Sequence, residues 1–546
     1  MDRRDFLKSA AIATATSFIT PVWEMQAKRH ASAQFLALHA FIKNHPEAVF
    51  IKKTNVPNKT DTAAKKNVGQ EIVQEIFSLS NIDGIPLSTL LAIKPNLTCT
   101  TGTAGSVEGM GIRTDTPFLD GFLSTLISMG YPASNMYVRE GNWALDGYCI
   151  GESLIGGMKE LAERQGIHLF DFPSGRSMAS MTYESLVANE EVIWKDVANG
   201  IVLTRAGTFY PFGISNSWMI NIAKFKAHGM GLTLSVKNIQ GVCVPPIIHF
   251  CEGVDQTKTR PPAVRSNFSP DMERNIDALY ARHLGENKYP RWDRAGRNAA
   301  GGYGMETWAQ RTCDYHSTLG AGIHIIEGIY GRNGDGFNQG PGPGNTAEEY
   351  MSNYIIFGLN PFKVDIIGHW LGGHEPGNFG LFHIAKERGL LDFLNPENIP
   401  LYLWDKNSPT LTPLNSFQRY PLKSPYLRRD YNGQNEDQYH LVNEPFNYAT
   451  DVASEETAPR TFLLKQNYSN PFSSTTMIEY YVPNDQTVLL EVFNGHGERV
   501  DILVNRFMHR GAHVATFDAR TKPSGYYFYR LSAKGFSQTK EMVIVR

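Results

Sequence analysis

The stretch WMINIAKFKAHGMGLTLSVKNIQG, residues 218–241, begins as an apolar run of the kind buried inside a parallel sheet, and we read a strand over 218–228. Lys224, Lys226 and His228 occupy every second position of its end. An extended backbone projects these three from one face and sends Phe225 and Ala227 to the other. Lys237 and Asn238 follow a few residues on. Strands of a parallel sheet are covered on both faces, which leaves little room for three solvated polar groups. The row therefore reads as groups aimed at one anionic ligand rather than as a wet strand face.

Outward from this stretch the pattern alternates strand and helix. LLAIKPNLT (90–98) reads as a strand running into a turn, and DTPFLDGFLSTLISMG (115–130) as a helix capped by Asp115 or Thr116. That helix buries Phe118, Leu119, Phe122, Leu123, Leu126 and Ile127 and stops at Gly130. NMYVRE (135–140), IHLFDF (167–172) and GIHIIEGIYG (322–331) read as further strands, and NPFKVDIIGHWLGG (360–373) as a helix with Asn360 as cap. This order predicts an α/β core over residues 34–403 with a largely parallel sheet and flanking helices. In such sheets ligands bind beyond the carboxyl ends of the strands, where Lys94, Lys224 and Lys226 fall. Glu140, after a strand, reaches toward the same crevice, as does Asp146.

The chain has 546 residues, more than one hydrophobic core serves, so at least two domains are expected. A formal net charge of −2 excludes a strong field for nucleic acid or an anionic membrane surface. Of the five cysteines, Cys243 and Cys251 could close a short loop, while Cys99, Cys149 and Cys313 are scattered. No C-x-x-C pair occurs, which argues against a zinc ribbon or an iron–sulfur cassette.

Three other groups could carry chemistry. The glycine-rich GRNGDGFNQGPGPGN (331–345) surrounds Asp335 with amides that could cradle an anion, although it lacks the P-loop Lys-Ser/Thr. Asp365 and His369 lie one helical turn apart, with His374 shortly after, and are the candidate ligands of a metal ion. Cys313, Asp314 and His316 sit together as a weak nucleophile candidate.

The two ends read as addresses. MDRRDFLKSAAIATATSFITPVW at the start resembles a twin-arginine export signal, with A-x-A at Ala31 and Ala33 and residues 1–33 as the signal peptide. Its apolar run is too short and too interrupted for a stable transmembrane span. Residues 404–460, rich in Pro, Asn and Ser, read as a tail packed on the core followed by a linker. Residues 461–546 show short alternating strands between turns, hence a small antiparallel β-sandwich. Gln466, Asn467, Asn470, Pro471 and Phe472, then Gly497, then Ser524, Gly525, Tyr527, Tyr529 and Arg530 follow the order of landmarks of a type IX secretion C-terminal sorting domain. That resemblance implies the twin-arginine translocase and the type IX machinery as partners, and a cell-surface or extracellular destination after transit through the periplasm.

The core blocks LAIKPNLT, INIAKFKAHGMGLTLSVKNIQG, IIEGIYGRNGDGFNQGPGPG and NPFKVDIIGHWLG resemble, in order and spacing, those of domain-of-unknown-function family 362. The resemblance carries over Lys94, Asn96, Lys224, Lys226, His228, Lys237, Asn238, Gly241 and Asp365; Glu327 stands where the family commonly has Asp. Some members carry ferredoxin-like cysteine clusters; this chain has none, so no iron–sulfur centre is implied. The expectation is an anionic small molecule, a carboxylate or phosphate, held by Lys94, Asn96, Lys224, Asn238, Gly241 and Asp335, with His228, Lys226 and Lys237 as the catalytic candidates. A cofactor-assisted enzyme and a non-catalytic secreted binding protein are the two competing classes.

Overall fold

The computed structural model describes residues 34–97, 111–140, 158–169, 192–243, 253–333, 348–423, 444–448 and 462–545, less 229, 261, 294–295, 298–300, 465, 468–469, 485 and 509–510. The core is built on β1 (Val49–Lys53), β2 (Leu90–Pro95), β3 (Met136–Val138), β4 (Ser217–Lys224), β5 (Lys226–His228), β6 (Gly231–Thr233), β7 (Gly322–Arg332), β8 (Glu349–Gly358), β9 (Leu401–Leu403) and β10 (Thr410–Leu411). Eight of these form one sheet in the order β10-β9-β1-β8-β7-β4-β2-β3. Six strands run one way; β8 is antiparallel to both neighbours and β10 to β9, so the sheet is mostly parallel.

Helices cover both faces because strand residues alternate between two apolar cores. Leu91, Ile93, Ile220 and Ile222 belong to one core, with α1 (Thr62–Ile76) and α2 (Thr116–Ser128). Ala92, Met219 and Ala223 belong to the other. That second core takes α3 (Ser235–Asn238), α4 (Met272–Gly285), α5 (Gly302–His316), α6 (Pro361–Leu371) and α7 (Gly380–Glu387). α1 and α2 cross in close contact: a Cβ at Gly69 would lie 2.1 Å from the Phe118 carbonyl oxygen, and one at Gly121 2.0 Å from that of Lys66.

The expected strand over 218–228 is in fact two. β4 ends at Lys224, and β5 turns back on β6 as a two-stranded hairpin with Lys226 opposite Thr233 and His228 opposite Gly231. The break falls at Phe225, whose N–H still donates to the Glu327 carbonyl at 3.0 Å while its own carbonyl takes the Tyr350 hydroxyl. The expected strand at 167–172 is described only to Leu169 and appears as a single bridge between Tyr137 and His168. Leu414, Phe417 and Leu422 extend the core beyond residue 403.

The C-terminal residues form two antiparallel sheets from β11 (Leu463–Leu464), β12 (Thr475–Val482), β13 (Gln486–Asn494), β14 (Arg499–Met508), β15 (Gly511–Asp518), β16 (Gly525–Ala533) and β17 (Phe536–Ile544). Their orders are β11-β12-β15 and β14-β13-β16-β17, and both contribute to one apolar core. Several of the landmark residues hold this unit together. Tyr529 Oη accepts the Asn467 N–H at 2.8 Å, Asn470 Oδ1 accepts the Val543 N–H at 2.8 Å, and Arg530 donates to Glu491 at 2.9 Å. Among the described residues no helix is long and apolar enough to cross a membrane.

Candidate functional site

Lysines arrive at the carboxyl edge of the sheet from both of its faces. Lys94 emerges from β2 on the Ala92 side, and Lys224 from β4 on the Ile220–Ile222 side. On the first side, Lys94 Nζ donates to Glu140 Oε2 at 2.7 Å, to the Pro95 carbonyl at 2.6 Å and to Asn238 Oδ1 at 3.2 Å. The Leu97 N–H shares Glu140 Oε2 at 2.9 Å. Asn238 spends its whole capacity on protein. Its Oδ1 also accepts from Asn96 Nδ2 at 3.0 Å, and its amide donates to the Lys94 carbonyl at 3.1 Å and to Asn221 Oδ1 at 2.7 Å. Asn221 in turn donates to Ser235 and meets His324 Nδ1 at 3.1 Å.

On the opposite side, Lys224 Nζ donates to Glu327 Oε2 at 2.6 Å and to Asp115 Oδ2 at 3.4 Å. Lys65, from α1, reaches Asp115 Oδ1 at 3.0 Å. Asp115 precedes α2 but makes no side-chain cap bond, because both lysines claim its carboxylate. The glycine of K-N-x-x-G has a steric reason: a Cβ at Gly241 would sit 2.1 Å from Glu140 Oε1 and 2.6 Å from Lys94 Cε.

Residues 91–369, just over half of the chain, match a family model described as Domain of unknown function (DUF362). The chain belongs to the DUF362 family. The DUF362 match opens inside β2 and closes inside α6, so it encloses every lysine of this site except Lys65. No curated protein matches the chain. Among solved structures, it is similar to the Ig1 domain of mouse SynCAM 2 at 10% identity, over 16% of this chain and 95% of that one, with a TM-score of 0.12, too low to define a shared fold.

Within the DUF362 core, alternate lysines of one segment are pushed in opposite directions. Burial opposes charge on Lys224, but Glu327 and Asp115 outweigh it and hold the ammonium above its usual range. Lys226, equally buried, is driven well below that range by burial first and Lys237 next, with Lys224 and Lys94 adding to the repulsion and Glu140 opposing it. Lys94 is lowered as well, since burial exceeds the support of Glu140. His228 is half-buried, and burial with Lys237 and Lys226 depresses it well below the ordinary imidazole value. Its Nδ1 accepts the Met230 N–H at 3.1 Å, so the neutral ring carries its proton on Nε2. It is built to donate rather than to act as a base.

The other candidates are occupied elsewhere. Asp365 is no partner of His228: its two oxygens accept the Ser235 and Val236 N–H groups at 2.7 and 2.8 Å and cap α3. His369 Nδ1 donates to the Asp365 carbonyl at 3.0 Å, and the ring stacks on Phe379; burial takes it down to about 4. His374 bonds the Leu422 carbonyl at 2.7 Å. Among the described residues no group of three or more His, Cys, Asp or Glu side chains could hold a metal ion. Asp314 accepts three backbone N–H groups from Ile201, Val202 and Leu203, and burial raises the adjacent Cys313 thiol to about 12. Asp335, Asp146, Cys99, Cys149 and Cys251 lie outside the described residues.

Sequence reasoning passed over Lys65, Asp115 as an ion-pair partner, and Asn221. Lys65 carried a signal, since it shares the buried stripe of Val68, Ile72 and Ile76 on α1. Asn221 did too, as an amide inside an otherwise apolar parallel strand.

Proposed function

We propose that this is an exported protein whose core binds a small carboxylate or phosphate at Lys226, Lys237 and His228. The observation that carries the reading is the gathering of these three at the carboxyl edge of the parallel strands. There Lys226 lies within electrostatic reach of Lys237, Glu140, Lys224 and Lys94, and His228 within reach of Lys237 and Lys226, while Glu140 and Glu327 are already held by Lys94 and Lys224. Lys94, Asn96, Asn238 and Gly241 form the frame of the site rather than its contact surface. His228, with Nδ1 occupied, favours binding over proton transfer as its task.

The test is thermal melting and calorimetric titration of the chain from residue 34 with phosphate, citrate and pyruvate. Binding that weakens at least tenfold in Lys226→Ala and Lys237→Ala supports the reading, and unchanged binding removes it. Residues 1–33 serve as a twin-arginine signal, and residues 461–546, folded as a β-sandwich, as a type IX sorting domain. Replacing Arg3 and Arg4 by Lys should retain the precursor in the cytoplasm. Deleting 461–546 should halt the protein in the periplasm, and surface delivery of either variant would refute its part of the assignment.

A further inference from the structure

We propose that Lys226 is an amine nucleophile that condenses with the carbonyl group of a small aldehyde or oxo acid whose phosphate or carboxylate is seated by Lys237 and His228. This deepens the anion-site reading and rests on it. The geometry has three parts. Lys226 is fully buried on a two-stranded hairpin, so its amine is held on a rigid element. Lys94, Lys224 and Lys237 crowd around it electrostatically, and two of them, Lys94 and Lys224, are fixed by carboxylates at 2.7 and 2.6 Å. His228 and Lys237 are half-buried and mark the side from which a small anion arrives.

A buried amine among cations is the arrangement that keeps a lysine neutral and nucleophilic near neutral pH, and Lys226 is shifted in that direction. Its lone pair forms the C–N bond while the carbonyl π pair moves onto oxygen. The two amine hydrogens then leave with that oxygen as water, and an imine remains, with no oxidant or reductant required.

The experiment uses the full chain from residue 34 and pyridoxal 5′-phosphate, an aldehyde that carries its own phosphate, followed by borohydride reduction and peptide mapping by mass spectrometry. The expected adduct is on Lys226, formed at least tenfold faster than on an exposed lysine such as Lys406 and suppressed by inorganic phosphate. Its rate should level off at a lower pH than that of an exposed lysine, which gains about tenfold per pH unit below its ordinary value. Lys237→Ala should slow it, and Lys226→Arg should abolish it. Because the map is made on the unsubstituted chain, it does not depend on any variant folding. Adducts confined to surface lysines overturn the proposal. Phosphate stabilisation without a Lys226 adduct leaves the anion site standing and removes the nucleophile; loss of both removes both.

Discussion

Replacing Lys224 by Met strips Glu327 and half of Asp115 of their counter-charge in a buried setting. Breaking one partner of a buried pair typically costs about 3–5 kcal/mol, and the melting temperature should fall sharply. Replacing Lys226 by Met removes a buried amine whose charged form burial and the neighbouring lysines disfavour. Stability should be unchanged or raised while phosphate binding is lost. Melting curves of the two variants, with and without phosphate, separate a structural lysine from a functional one two residues away. Equal destabilisation by both would mean that Lys226 is a structural cation after all. Gly241→Ala belongs to the same scale: its methyl group would press on the Lys94–Glu140 pair, an overpacking worth about 1–3 kcal/mol and a weakened anion site. Urea denaturation reads the first effect and calorimetry the second.

Between helices, α4, α5 and α7 are pinned by His283, which bonds Glu306 at 2.7 Å and Glu387 at 3.0 Å. Burial opposes the imidazolium, but the two carboxylates outweigh it and raise it to about 9, while Glu387, despite burial, is drawn down to about 2. His283 therefore contributes its full stabilisation, on the order of 3 kcal/mol, below its ordinary value of 6.5 and loses it as pH rises through about 9. Glu387 contributes above 4.5 and loses its share as pH falls through about 2. A melting temperature that declines between pH 6.5 and 9.5, and not in His283→Gln, is the expected result. At this scale much of the fold was legible. The helix at Thr116–Ser128 follows its apolar stripe, and α6 starts at the Asn360 cap, whose side chain accepts from Phe362 and Lys363. The break at Phe225 was not legible, because it is set by Glu327 and Tyr350, partners more than a hundred residues away. For the same reason the lysine row, read as one face of one strand, comes apart. Lys224 is tied beneath the α1–α2 layer, while Lys226 leaves on the hairpin. Lys65 shares the apolar stripe of α1, but the stripe does not name its partner: a lysine on a helix is ordinarily solvated, and the distant Asp115 makes its burial possible.

Across the whole molecule, the described residues place two sheet-and-helix cores around the eight-stranded sheet and a third core in the C-terminal β unit, which shares no residue with them. Calorimetry of the chain should resolve two unfolding transitions. Removing residues 461–546 should abolish one and leave the phosphate-induced shift of the other intact; a single merged transition would show that the units fold cooperatively. The position of β1 has a consequence in time. It takes one neighbour, β8, from residues 349–358 and the other, β9, from 401–403, so roughly 300 residues separate it from its first partner. At about 5–20 residues per second a ribosome needs roughly 15–60 s to make that interval. Throughout it the apolar segment Val49-Phe50-Ile51 waits with both hydrogen-bonding edges open. A nascent chain of this design gives a holding chaperone a long window before the sheet closes.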